Sequence, residues 1–280
     1  MILGSDGLPF ISLKYSTSTL AALKCGNDSC TSGNVWSTLN TSSTGSDVNA
    51  IIGGNGYPFM THKYNSNSSL MTTACLNSSC ASATVVTTLS MVVNGTVVST
   101  PFYLMSATTT THVDPCGTTG CANTGSYSAA ALGADSYPLI VDQNTSGTNT
   151  MSVRKCANLT CTSMSSQTTI SYGSNNIGTY NAIAIPTDNK PLLATIDDTN
   201  SYIYTIKCGN STCTSGNSAV AQTSTGAIAT GGISLALTAD STGQMLPLIG
   251  YKVASVAGLK LFRCGDAACS ATGTNTIISV

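Results

Sequence analysis

Ile51-Ile52-Gly53-Gly54-Asn55-Gly56-Tyr57-Pro58-Phe59-Met60, followed 17 residues after the proline by Cys75-Leu76-Asn77-Ser78-Ser79-Cys80, contains the unit from which the chain is built. Residues 50–53 are a short apolar run, Asn55-Gly56 is a type I′ hairpin signal, and residues 58–64 form a second run ending in a polar turn at 65–69. Residues 70–75 supply a third strand. The cysteine loop then turns the chain into the β-branched segment 84–89, which completes a four-stranded meander. Proline suits the first position of a strand because its missing N–H is not needed by the ladder there.

The unit recurs. Six cysteine pairs with one spacing, Cys25/Cys30, Cys75/Cys80, Cys116/Cys121, Cys156/Cys161, Cys208/Cys213 and Cys264/Cys269, return at intervals of 50, 41, 40, 52 and 56 residues. Pro9, Pro58, Pro101, Pro138, Pro191 and Pro247 precede the first cysteine of each pair by 16, 17, 15, 18, 17 and 17 residues. Repetition at this period marks propellers and arrays. The sequence therefore predicts an all-β chain: one six-bladed β-propeller domain over 1–280, with four antiparallel strands per blade and blades near 1–45, 46–90, 91–126, 127–175, 176–225 and 226–280. The first two residues after each proline are apolar, Phe59-Met60 and Leu139-Ile140 among them, so both faces of that strand should be covered by neighbouring blades.

Each cysteine pair is expected to close a hairpin-tip disulfide, one per blade. Zinc is disfavoured, because pairs on different blades are held apart and only His62 and His112 could add nitrogen ligands. Six equivalent copies also do not resemble one redox site. The cysteines place the chain in an oxidising compartment, secreted or at a cell surface. Residues 2–9 align without a gap on 51–58, which suggests trimming at a repeat boundary from a larger secreted precursor.

Charged residues make up 8% of the chain, glutamate is missing, and the formal net charge is −1, so no basic footprint for nucleic acid or membrane surface exists. No hydrophobic stretch is long enough to span a bilayer. No cofactor motif is present.

Asn27, Asn77, Asn158 and Asn210, inside the cysteine loops, begin Asn-x-Ser/Thr sequons and are candidate glycan acceptors; Asn40, Asn67, Asn94 and Asn144 begin four more. Asp6, Asn55, Asn94, Asp135, Asp188 and Asp240 fall in the turns between first and second strands. Their oxygens could form a calcium-binding ring, but their tolerance of left-handed turn backbone explains them better. Catalysis looks poorly supplied: Asp114, Asp142, Asp197 and Asp198 are scattered over different units, and His62 and His112 read as solvated strand or turn residues. Variable segments at 162–190 and 214–246 read as insertion-bearing loops suited to a partner surface.

The pattern at 4–10, 24–34 and 207–217, Gly-x-Asp-Gly-x-Pro followed by Lys-Cys-Gly-Asn-x-x-Cys-x-Ser-Gly-Asn, resembles the tandem repeats of secreted bacterial β-propeller proteins. That resemblance implies an exported propeller, usually without a known activity. A looser similarity to sialidase-type propellers lacks the Asp-box, the supporting glutamate and the third arginine beside Arg154 and Arg263. The expected function is a non-enzymatic extracellular or cell-surface binding or assembly module, meeting other surface proteins, glycans or copies of itself. The alternatives are a glycan-binding lectin and a polysaccharide hydrolase or lyase.

Overall fold

The constant proline-to-cysteine distance has a simple physical origin. The proline carbonyl accepts a hydrogen bond from the first cysteine of its own unit, at 2.9 Å for Cys25 on Pro9, Cys208 on Pro191 and Cys264 on Pro247, so the two residues close the base of one hairpin. Around these hairpins the computed structural model places twenty-two strands and describes residues 1–17, 19–40, 44–64, 69–81, 86–93, 96–103, 108–112, 124–145, 150–172, 175–224, 228–253, 259–270 and 273–278. All its regular elements among these residues are strands.

Five antiparallel four-stranded sheets follow one another in a propeller-like row. Blade 1 is β1 (Ile2–Leu3), β2 (Pro9–Lys14), β3 (Leu20–Lys24) and β4 (Val35–Asn40). Blade 2 takes β5 (Thr44–Ile52), β6 (Pro58–Tyr64) and β7 (Ser69–Cys75); its hairpin neighbours β8 (Val86–Val93) and β9 (Thr96–Tyr103) form a separate two-stranded sheet, and β10 (Thr108–His112) returns to complete the blade. Blade 3 is β11 (Ser126–Leu132), β12 (Pro138–Asn144), β13 (Thr150–Cys156) and β14 (Met164–Ile170). Blade 4 is β15 (Thr179–Ala184), β16 (Leu192–Asp197), β17 (Tyr202–Lys207) and β18 (Ser218–Ser224). Blade 5 is β19 (Ile228–Ala239), β20 (Met245–Val253), β21 (Leu259–Arg263) and β22 (Thr274–Ile278).

The expectation of six blades is thus corrected to five four-stranded sheets among the described residues. The third unit supplies a hairpin and one strand rather than a blade. Residues from 86 onward do not add to β7 as expected; they pair with β9 across Asn94-Gly95, from Val86↔Tyr103 to Val93↔Thr96. In the second unit Gly56 lies 2 residues before its proline, whereas Gly95 lies 6 before Pro101, so β-branched residues continue in the sequence on both sides of Asn94-Gly95. Local pairing of two such runs needs no long loop closure. β10 then fills the outer edge of blade 2, with Thr108↔Cys75 through His112↔Met71. Cys116, Cys121 and Asp114 lie outside the described residues.

Segments 162–190 and 214–246 are not the loops that their length suggested. They contain β14 and β15, and β18, all of β19 and the start of β20, respectively.

Neighbouring blades pack by one rule. The residue after the proline faces the next blade, and the one after that faces the previous blade. Phe10 and Leu20 of blade 1 meet Met60, Cys75 and Cys80 of blade 2. Phe59 and Leu70 meet Ile140, Cys156 and Cys161; Leu139 and Met151 meet Leu193, Cys208 and Cys213; Leu192 and Ile203 meet Ile249, Cys264 and Cys269. Burial of a large apolar side chain contributes about 1.5–3 kcal/mol, so these stacked contacts dominate the fold.

Candidate functional site

Each innermost strand has two ends, and the repeats treat them differently. At the exit end, where the chain turns into the proline strand, one construction recurs. The turn carboxylate or amide accepts the N–H two residues on: Asp6 from Leu8 at 3.1 Å, Asn55 from Tyr57 at 3.0 Å, Asp135 from Tyr137 at 3.1 Å, Asp188 from Lys190 at 3.0 Å and Asp240 from Thr242 at 2.8 Å. The residue before the first cysteine then pairs with it in three blades: Lys24 with Asp6 at 2.8 Å, Lys155 with Asp135 at 2.6 Å and Lys207 with Asp188 at 2.9 Å. In blade 2 both partners become neutral, Asn55 and Ala74, and the Asn55 amide donates to the Cys75 carbonyl at 3.3 Å. These groups are held for the turn. No cluster of three or more potential metal ligands occurs among the described residues.

The cysteine loops are equally repetitive. Disulfides join Cys25–Cys30, Cys75–Cys80, Cys156–Cys161, Cys208–Cys213 and Cys264–Cys269. The second cysteine of each takes a left-handed backbone, with φ between 53° and 56°. Asn27, Asn158 and Asn210 accept the N–H of Thr31, Thr162 and Thr214 at 2.9–3.0 Å, and their amides donate to the hydroxyls of those threonines and of the serine that follows. Asn77 donates to the Ala81 carbonyl at 2.8 Å. Asp266 holds the same place in blade 5 and accepts from the Ala268 and Ser270 N–H groups at 2.9 Å.

Other residues singled out in the sequence are structural. Asp142 is buried in an ion pair with Arg154 and accepts the Gly125 N–H at 2.8 Å. Asp197 is buried and ties down its turn, accepting from the N–H groups of Thr199 at 2.8 Å and Asn200 at 3.3 Å and from the Asn200 side chain at 2.9 Å. His62 is not solvated: it lies within β6, fully buried, with Nε2 3.0 Å from the Thr73 hydroxyl. His112 is in β10.

At the entry end the copies diverge. Four innermost strands open with a break in register, at 46/49, 126/129, 179/182 and 228/233. Each break places one residue in the left-handed region: Asp47 at φ 54°, Tyr127 and Tyr180 at 52°, and Gly232 at 98°. Only glycine adopts this backbone freely. Held by the surrounding sheet, the other three store strain of about 1 kcal/mol or more each, a feature that concentrates at functional sites.

These four residues and the ones that follow them, Val48, Ser128, Asn181 and Ile233, line one cavity of about 180 Å³. A second cavity of about 200 Å³ shares Asn181 and Ile233 and runs inward between the innermost strands. The pair forms the mouth and throat of a channel. The Tyr127 and Tyr180 rings lie 4.5 Å apart, tilted by 49°. Burial above all, then the charges at Tyr180, Asp47 and Asp198 and a hydrogen bond with Tyr180, push the Tyr127 phenol upward and keep it protonated.

Polar contacts stitch this mouth together. Ser128 donates to Thr61 at 3.0 Å and to the Asp47 carbonyl at 3.2 Å; the Asn181 amide donates to the carbonyls of Tyr127 at 3.1 Å and Gly178 at 2.7 Å. Its Oδ1 is different. Asn181 is 7% exposed, and that oxygen accepts no hydrogen bond from the described residues. A buried polar atom left without a partner costs about 1–3 kcal/mol, so a donor belongs there. Asp198, exposed at the end of β16, accepts a 2.5 Å hydrogen bond from Thr179, which accepts one from Gln143 at 2.9 Å. Sequence reading named Asp198 among scattered carboxylates and missed the rest of this cluster. Its trace is positional, since Asp47, Tyr127 and Tyr180 each lie 11 residues before their proline.

No protein-family model matches the chain, and no curated protein matches it significantly. Among solved structures it is similar to a GH43 glycoside hydrolase whose active site was engineered to display both endo-xylanase and exo-arabinofuranosidase activity, at 11% identity and a TM-score of 0.46, over 99% of this chain and 50% of that one. The chain thus spans about half the length of that protein. The expectation of a non-enzymatic binding or assembly module is corrected here. It rested on carboxylates being scattered, whereas Asp47 and Asp198, from separate blades, both lie close enough to Tyr127 to help push its phenol upward.

Proposed function

We propose that the protein is a secreted polysaccharide hydrolase that binds sugar at the channel mouth. The observation that carries the reading is the buried, unpartnered Oδ1 of Asn181, a residue that lines a cavity flanked by two tyrosines. A sugar hydroxyl is a donor of the right kind for that oxygen, and sugar rings lie well on aromatic faces. The five disulfides among the described residues fit an oxidising, extracellular setting.

Glycoside hydrolysis needs two carboxyl groups. One protonates the leaving glycosidic oxygen; the other assists water at the anomeric carbon or attacks that carbon directly. Asp47 and Asp198 are assigned these roles as a pair, with Thr179 and Gln143 positioning Asp198.

The test is release of reducing ends from a panel of neutral and uronate-containing polysaccharides. Wild-type protein should act on at least one member, and Asp47→Asn and Asp198→Asn should each lower that activity by roughly a hundredfold or more while remaining folded. A folded wild type inactive across the panel, or activity that survives both substitutions, overturns the assignment.

A further inference from the structure

The packing rule between blades exposes one pair of faces that it should cover. Four interfaces join five blades, and in each the residue after the proline and the residue five before the cysteine are sealed by the next blade. At the latter position Leu20, Leu70 and Met151 are 0% exposed and Ile203 is 1% exposed. Leu259, their equivalent in blade 5, is 43% exposed. Leu248 and Leu261 on the same face are only half-buried, although Phe10, Phe59, Leu139 and Leu192, the counterparts of Leu248, are all at 0–1%. A cavity of about 340 Å³ lies on this face and is lined by residues of blade 5 alone, Leu248, Gly250, Leu259 and Leu261 among them.

Blade 1 shows the complementary defect. Met60, Ile140, Leu193 and Ile249, the second residues after their prolines, are all 0% exposed, each covered by the preceding blade. Their counterpart Ile11 is half-buried, as are Leu23 beside it and Cys30, whose equivalents Cys80, Cys161, Cys213 and Cys269 are at 0–1%. One half of a standard blade interface is therefore open on blade 5 and the other half on blade 1.

We propose that these two faces are a docking surface for a second copy of this chain, blade 5 of one copy packing against blade 1 of the next. The argument for that occupant is the chain itself: each open face already meets its matching partner four times within the molecule, and a second copy presents the match in the register that the four internal interfaces use. Such a contact is heterologous, so copies join head to tail and grow by further addition unless the rotation closes a ring. The cavity on the blade 5 face shares Gly232 and Ile233 with the candidate site, but Leu259 and Ile11, on which the inference turns, lie outside that site, so self-association tests it separately from the hydrolase reading.

Sedimentation velocity over a range of protein concentrations tests it. Wild type should associate, and association should persist at high salt because few charges are involved. Leu259→Asp on blade 5 and Ile11→Asp on blade 1 sit at half-exposed or exposed positions where the fold tolerates them, checked by circular dichroism. Each should weaken self-association by roughly tenfold to a hundredfold, the effect of losing one buried apolar side chain. The decisive sample is a mixture of the two variants, each retaining one intact face. It should form 1:1 pairs that cannot grow. A wild type monomeric at every concentration, or a mixture that stays monomeric while wild type associates, overturns the proposal.

Discussion

The two ends of the innermost strands teach different lessons about one repeat. At the exit end, blades 1, 3 and 4 set a turn Asp against a Lys, and blade 2 replaces both partners together with Asn55 and Ala74. At the entry end the corresponding position is Asp47, Tyr127, Tyr180 or Gly232, four positions sharing a backbone and little else. A solution copied from blade to blade serves the fold, since every blade has the same turn to close. A backbone kept while its side chains vary points to chemistry done once, where the blades converge. Strain supports the same division: the left-handed cysteines at the exit end are clamped by disulfides, whereas the tyrosines are held without a covalent link, by sheet, packing and hydrogen bonds such as that from the Asn181 amide to the Tyr127 carbonyl.

The sharpest way to break this comparison is to neutralise one carboxylate at each end. Asp47→Asn or Asp198→Asn should reduce turnover by roughly 10²- to 10⁴-fold, the usual contribution of a general acid or base, with little change in melting temperature. Asp188→Asn should do the reverse, leaving turnover intact. If the exit-end variant is the inactive one, the assignment of function to the entry end fails.

Next in size is the core that both ends share. Phe59→Ala and Ile140→Ala remove side chains that are 1% and 0% exposed, between blades 2 and 3, and each should cost roughly 2–5 kcal/mol in urea unfolding through the cavity left behind. Losses well below that range would mean that the blade interfaces are loosely packed.

The extent to which sequence foretold structure follows the same boundary. Proline, cysteine and turn Asp recur at near-constant separations because each is local: a hairpin base, a short disulfide loop and a turn that accepts its own N–H. The third unit resisted reading because its strand patterns are sound and only their pairing differs; whether residues from 86 onward join β7 or β9 is a contest between distant and adjacent partners. His62 was misjudged for a related reason. A polar residue inside a doubly covered strand is buried whatever its character, and only the neighbouring blade shows this. Asp47, Tyr127, Tyr180 and Asn181 become a site only when separate blades meet around a channel, which no spacing along one unit encodes.

A smaller effect is expected from one disulfide. Cys208→Ser with Cys213→Ser reopens a loop of sequence separation 5, worth about 2 kcal/mol in the chain-entropy model. Unfolding midpoints measured in urea should fall accordingly, with catalytic constants unchanged. A change in turnover larger than the change in stability would couple the two ends.

The smallest expected effect tests whether blade 2 really shows an equivalent solution. Asp6 is held below the ordinary carboxylate value by the Lys24 hydrogen bond foremost and then by the Leu8 N–H. For Asp135 burial works upward, but the Lys155 hydrogen bond, the Tyr137 N–H and the lysine charge together carry it downward; Asp188 behaves alike with Lys207 and Lys190. A carboxylate with a depressed folded pKa binds its proton more readily in the unfolded chain. Its contribution is present above the unfolded value, about 4, and is lost as pH falls from there through the folded value. Converting blade 3 to the blade 2 pattern, Asp135→Asn with Lys155→Ala, should cost under about 1 kcal/mol at neutral pH, because the Asp135 side chain is 51% exposed and solvent screens the pair. Below pH 4 the wild type loses this contribution and the variant has none to lose, so their urea midpoints should converge. Parallel curves across the acid range would show that the lysine partner adds nothing to the turn, leaving the backbone N–H as the sole reason for Asp at that position.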